Sequence, residues 1–190
     1  MKKTLKGRRS SELLRARREK LLVKFSRPFE PGSFTGYVLD VGPKFFLLSV
    51  KGNDGERFNG YSCLRVEDVR GLEVPHPYAS FHEAAQKKLG ERRPRKPSIS
   101  LGSLVDLIGS AARQFPLVTI HRERVDPKVC YIGRVFGIGR EHVTLLEIGP
   151  DARWEKTPRT YRQQEITRVD FGGEYEKALY LVGGEPPKSN

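Results

Sequence analysis

The chain carries one apolar pattern twice. When residues 35–50 (TGYVLDVGPKFFLLSV) are set above residues 132–147 (IGRVFGIGREHVTLLE), Gly36, Val38, Val41, Gly42 and Leu48 fall on Gly133, Val135, Ile138, Gly139 and Leu145, all 97 positions apart. Further on, residues 61–72 match residues 161–172 at an offset of 100, which sets Tyr61, Val66 and Val69 against Tyr161, Ile166 and Val169. A three-residue insertion in a connecting loop accounts for the step. Self-similarity at a fixed spacing means that each copy is one supersecondary unit. The fold is therefore one that half of 190 residues can make and then make again.

Each copy reads as five short strands. In the first they are expected at 21–27, 34–41, 44–51, 57–66 and 68–74, and in the second at 117–124, 131–138, 142–148, 159–164 and 166–171. All are rich in β-branched and aromatic residues, and Asp126-Pro127 and Gly149-Pro150 are among the turn formers between them. Five strands of this length are too few for a two-layer sandwich, so each sheet is expected to curl on itself. The predicted fold class is mainly β with short helices, as two tandem five-stranded SH3-like barrels. Gly36 and Gly133, inside strands, mark places where another backbone comes close. Gly42 and Gly139 read as hairpin residues with positive φ. Gly137-Ile138-Gly139 is not read as a dinucleotide loop, because the third glycine position of that motif is His142 and the residues that follow are strand-like.

Helices are expected around the barrels. In residues 103–115, Leu104, Leu107, Ile108, Ala111 and Phe115 form one face, and Ser103 with Asp106 makes a capping box. After the first copy, Pro77 starts a helix whose apolar stripe is Tyr78, Phe81, Ala85 and Leu89; residues 173–183 are its shorter counterpart. In residues 10–22 Arg17 and Arg18 interrupt the stripe, so that segment reads as an arm that orders on binding. The expected organisation is a basic arm or helix over 1–20, a first barrel with trailing helix over 21–89, a basic linker over 90–99, a second barrel with leading helix over 100–184, and a tail over 185–190.

Charge is distributed unevenly along this plan. The net charge of +12 divides into +9 over residues 1–27, −3 over 28–86, +5 over 87–96 and +1 over 97–190. The excess lies in the arm and linker, a pattern that favours a polyanion such as RNA as partner. No apolar run approaches the roughly 20 residues that span a bilayer, and the basic start lacks the apolar core of a secretory signal. A cytoplasmic protein without a membrane partner is expected. Cys63 and Cys130 sit among apolar neighbours and read as two buried thiols, with a single disulfide as the alternative.

The strand pattern resembles the Sm and Sm-like proteins, whose unit is a helix followed by a strongly bent five-stranded antiparallel barrel. The residues that carry the resemblance are Leu22, Phe25, Gly36, Val38, Val41, Phe46, Leu48, Val66 and Val69 in the first copy. In the second they are Val118, Ile120, Gly133, Val135, Ile138, Val143, Leu145, Ile166 and Val169. The family grips RNA through the loop between strands two and three, usually with Asp and Asn, and the loop between strands four and five, usually with Arg-Gly. Here Gly42 and Gly139 stand at the Asp position, and Phe46 and Val143 at the Asn position. Arg65 is followed by Val66, Arg70-Gly71 comes several residues late, and the second copy has RQQEI. The usual uridine pocket is therefore expected to be absent. RNA contacts are expected from Lys44, Arg65, Arg140 and Arg162 at the loops, with Arg8, Arg9, Arg15, Arg17, Arg18, Arg92, Arg93, Arg95 and Lys96 as phosphate clamps that position a strand without reading its bases.

No catalytic role and no cofactor are expected. His76, His82, His121 and His142 show no spacing that sets two imidazoles beside an acidic ligand, so no metal is expected, and no nucleophile motif is present. Trp154 is expected to fold back over the second barrel, the alternative being an exposed stacking platform. The competing reading of the whole is an assembly subunit, a possible homo-oligomer whose exposed barrel edge strands pair with a neighbour without nucleic acid.

Overall fold

A computed structural model describes residues 2–52 and 56–187. The tail expected over 185–190 thus lies partly outside the described residues. The chain divides into two compact units, Met1–Pro97 and Ser98–Asn190. Together they hold ten strands and four helices among the described residues, and every strand pairing within a unit is antiparallel. No helix of the described residues is long and apolar enough to cross a membrane.

The first unit runs α1 (Lys2–Glu19), β1 (Leu22–Ser26), β2 (Phe34–Val41), β3 (Phe45–Lys51), β4 (Phe58–Arg65), a 3-10 turn (Val66–Asp68), β5 (Arg70–Glu73) and α2 (Ala79–Lys88). Its strands lie in the order β5-β1-β2-β3-β4. One core collects Leu13 and Ala16 from α1, Val23 and Phe25 from β1, Phe34 and Val38 from β2, Phe46 and Leu48 from β3, Leu64 from β4, and Val66 and Val69 around the 3-10 turn. Phe25 stacks on Phe34 at 5.4 Å and meets Phe46 edge-on at 5.5 Å.

The second unit runs α3 (Leu104–Gln114), β6 (Val118–His121), β7 (Cys130–Ile138), β8 (His142–Glu147), β9 (Arg159–Arg162), a 3-10 turn (Gln163–Glu165), β10 (Arg168–Phe171) and α4 (Glu174–Gly183). Its strands lie in the order β10-β6-β7-β8-β9. The capping box forms as expected: the Asp106 N–H donates to Ser103 Oγ at 3.1 Å, and the hydroxyl donates to the Asp106 carboxylate at 2.7 Å. Leu107, Ile108 and Ala111 are buried. Trp154 folds back as expected, donating from Nε1 to Gly183 O at 3.2 Å beside a small cluster of Leu117, Ile148 and Leu179.

Gly36 and Gly133 sit where a side chain has no room. A Cβ on Gly36 would lie 2.1 Å from Ser49 O, and one on Gly133 would lie 2.3 Å from Leu146 O. A register shift lies nearby in each sheet, between Val38 and Asp40 and between Val135 and Gly137.

Several expectations are corrected. No ladder joins β4 to β5 or β9 to β10 among the described residues, so by hydrogen bonding each sheet is open rather than a closed cylinder. The 3-10 turn after the fourth strand and a fifth strand of only four residues carry the chain straight to the first strand instead. The offset does not step to 100: Phe46 faces Leu64 as Val143 faces Tyr161, and the 3-10 turns end at Val69 and Ile166, all 97 residues apart. Tyr161 therefore stands where Leu64 does, not where Tyr61 does.

Gly42 and Gly139 lack positive φ. They precede two-residue tips whose φ values are also negative, and Pro43 dictates this at the first tip. Residues 10–22 are not an arm awaiting a partner, because two side chains one turn apart, Leu13 and Ala16, are enough to seat α1 in the core. In α2 three residues of the expected stripe, Tyr78, Phe81 and Leu89, face solvent, Ala85 is half-buried, and Gln86 is the buried residue. The surface beneath α2 is polar: His82 Nδ1 lies 2.8 Å from Glu56, and the Tyr37 hydroxyl donates to Glu83 at 3.2 Å. Of the two thiols, Cys63 is buried but Cys130, at the start of β7, is exposed, and the two are not joined in a disulfide.

Candidate nucleic-acid interface

Strand register gathers cations at one end of each sheet. In the first unit the Gly42 N–H donates to Phe45 O at 2.8 Å, which leaves Pro43 and Lys44 as the tip of the β2–β3 hairpin. Phe45 pairs with Arg65 at the end of β4, and the Val66 N–H donates to Lys44 O at 2.9 Å. The second unit repeats these bonds. The Gly139 N–H donates to His142 O at 2.8 Å, Arg140 and Glu141 form the tip, His142 pairs with Arg162, and the Gln163 N–H donates to Glu141 O at 2.9 Å. Lys44 with Arg65, and Arg140 with Arg162, therefore share an end of their own sheet. Lys44, Arg140 and Arg162 are exposed and make no ion pair among the described residues. Arg65 is half-buried over the Phe45 ring, with its guanidinium 3.6 Å from Glu67.

Helix α1 brings one more cation, Arg9, to the same end of the first unit. Arg9 donates to Glu67 O at 3.1 Å, and Arg8 is exposed without an ion pair among the described residues. The remaining arginines of the helix are turned to internal use. Arg15 donates to Val74 O at 2.6 Å and to Glu12 at 3.0 Å, Arg17 lies 3.3 Å from Asp40, and Arg18 lies 2.8 Å from Glu19.

The expected linker is held against its own unit. Tyr61 donates its hydroxyl to Arg95 O at 3.1 Å, Arg93 lies 3.3 Å from Glu83 and over the Tyr37 ring, and Lys96 pairs with Asp40. Burial and then the neighbouring Glu83 push the Tyr37 phenol up to about 12. Burial alone would raise the Asp40 carboxyl, but hydrogen bonds from Lys96 and the Val41 N–H, with the charges of Lys96 and Arg17, hold it below its ordinary value. Arg92 and Arg95 are exposed and free of ion pairs among the described residues. Residues 98–100 belong to the second unit, where Ser98 exchanges hydrogen bonds with the Gln114 side chain.

Two polar clusters escape reading from spacing. His76 and His82 meet edge to face at 4.6 Å, with Glu56 on His82, so two imidazoles do lie near an acidic group; the chain between them turns into α2. Burial, then the His82 charge, lowers the His76 pKa, and its Nδ1 accepts the Tyr78 N–H at 2.9 Å. In the second unit His121 lies 3.0 Å from Asp170 and pairs in register with Cys130. Burial would raise the Asp170 carboxyl, but Arg168 and His121 overcome it and hold the group well below the usual range. The Cys130 residue is exposed, yet the thiol is crowded enough by protein that desolvation, with Asp170 next, raises its pKa. This disfavours the nucleophilic thiolate. No group of three or more His, Cys, Asp or Glu among the described residues is placed to hold a metal ion. No family model matches the chain, and no match is found among curated proteins or solved structures.

Proposed function

We propose that the chain is a non-catalytic nucleic-acid-binding module of the cytoplasm, built as a tandem of two Sm-like small barrels that contacts single-stranded RNA through phosphates. Support for the barrel reading comes from a helix followed by five strands in the same order in each unit. A core drawn from all parts of the first sheet adds to it. The observation that carries the function is the pairing of hairpin-tip and strand-end cations, Lys44 with Arg65 and Arg140 with Arg162, at one end of each sheet. Such groups hold a polyanion in position without selecting its sequence.

The test is titration of a fluorescent single-stranded RNA at several salt concentrations. Deleting residues 1–20 would strip Leu13 and Ala16 from the core, so charge variants are the better probe. Arg140→Gln with Arg162→Gln is expected to flatten the slope of log affinity against log salt by about 0.7 per lost phosphate contact. Absence of binding at about 50 mM salt would refute the proposal.

One observation favours an assembly subunit as the second reading: β5 and β9 each end a strand order, and among the described residues their outer edges pair with no other strand. Light scattering showing a closed oligomer that does not bind RNA would favour that reading.

A further inference from the structure

The α2 helix presents its apolar side outward. Tyr78 is 69%, Phe81 64% and Leu89 54% exposed, while its inward side is held by the polar partners of His82 and Glu83. Two of the three large exposed side chains are aromatic, and both precede a run of cations. In that run the groups alternate in use. All four are exposed, but Arg93 and Lys96 pair with Glu83 and Asp40, while Arg92 and Arg95 make no ion pair among the described residues. A spacing of three is the repeat of an extended chain with proline-set φ, and Pro94 and Pro97 lie in the same series. Lys87 and Lys88 at the end of α2 are also exposed and, like Arg92 and Arg95, make no ion pair among the described residues. Glu83 and Glu91, the carboxylates of the segment, are occupied by Arg93 and Arg57.

We infer that this surface is a stacking platform for single-stranded RNA: unpaired bases lie on Tyr78 and Phe81, and the phosphates run along Lys87, Lys88, Arg92 and Arg95. The inference rests on the nucleic-acid reading above and adds to it a base-contacting site that the hairpin cations do not supply. Charge complementarity selects the occupant, because four exposed cations without ion pairs among the described residues, on the same segment as two largely exposed aromatic rings whose one ring contact each is a histidine (His76 on Tyr78, His82 on Phe81), match a chain that alternates phosphates with flat bases. Residues 78–88 extend about 15 Å along the helix, room for a few nucleotides. Stacking of this kind tolerates any base, in keeping with the lack of the usual uridine pocket residues.

The experiment uses the full chain and a 12-nucleotide oligouridylate carrying 5-iodouridine. Irradiation followed by peptide mapping is expected to place adducts on Tyr78 or Phe81. Changing Tyr78→Leu and Phe81→Leu keeps the apolar area and removes the π faces; affinity is expected to fall about tenfold or more per ring with the salt slope unchanged. Wild-type binding that survives both changes, with adducts mapped only to the hairpin ends, would overturn this inference and leave the phosphate-contact proposal standing. Failure of the wild-type chain to bind RNA at low salt would overturn both. Binding to phosphatidylserine vesicles in place of RNA would reassign the surface to an anionic membrane and likewise overturn the inference. The mapping on unaltered protein keeps the test decisive even if the leucine variants fold poorly.

Discussion

Gly36 and Gly133 show how much of the architecture a single missing Cβ can decide. At each, a methyl group would collide with a carbonyl oxygen of the neighbouring strand, Ser49 or Leu146, and backbone in the middle of a ladder has little freedom to withdraw. Gly36→Ala and Gly133→Ala are each expected to cost about 3 kcal/mol, read as a lower urea midpoint at unchanged m-value. Gly139 is the internal control. Its φ is ordinary, and a Cβ there would lie 3.7 Å from His142 O. Gly139→Ala should therefore change stability by no more than about 1 kcal/mol, in the stabilising direction. Equal losses at Gly139 and Gly133 would show that the close strand approach is not what demands glycine. The two strand glycines are legible from sequence because a glycine amid β-branched residues has few other reasons to be there. The hairpin glycines invite the wrong conformation because a two-residue tip favours positive φ, a preference that Pro43 blocks.

At the scale of elements, strands were easier to read than helices, for a physical reason. Alternation over residues 23–26 or 142–145 states both that a strand forms and which side is buried, since Val23 and Phe25, or Val143 and Leu145, alternate with polar residues. A helical stripe states only that two sides differ. In α3 the capping box and a wide apolar face agree, and the helix packs as expected. In α2 the periodicity of Tyr78, Phe81, Ala85 and Leu89 is real, but the inward side is chosen by what lies beneath it, and Glu56 and Tyr37 lie 20 or more residues away in sequence. In α1 a long basic sequence conceals an anchor of two residues, because arginine stems flank apolar surface while their heads find Val74 O and Asp40. Leu13, fully buried, is expected to show the difference between a docked helix and a free arm. Leu13→Ala should destabilise the unbound protein by roughly 2–4 kcal/mol. Were α1 ordered only by a partner, the thermal melt of the free protein would not move.

For the molecule as a whole, formal charge overstates the field available to a polyanion. The excess of basic residues over 1–27 and 87–96 is plain in the sequence, but its partial cancellation is not, because the carboxylates responsible are distant along the chain. Asp40 alone engages Arg17, 23 residues earlier, and Lys96, 56 residues later. Of the thirteen cations that the sequence nominates, Arg8, Lys44, Arg92, Arg95, Arg140 and Arg162 are exposed and make no ion pair among the described residues. Arg15, Arg17, Arg18, Arg65, Arg93 and Lys96 are paired with carboxylates. Removing one such carboxylate should reverse the commitment. Asp40→Asn frees two cations near the end of β2, so single-stranded RNA is expected to bind more tightly, with a salt slope steeper by up to about 1.4, or 0.7 for each phosphate gained. Arg17→Gln, which removes a cation already neutralised, should barely alter the slope, whereas Arg92→Gln with Arg95→Gln should flatten it by about 1.4. If instead Arg17→Gln flattens the slope as much as the loss of Arg92 or Arg95, binding follows net charge alone, and the ion pairs observed within the first unit play no part in directing it.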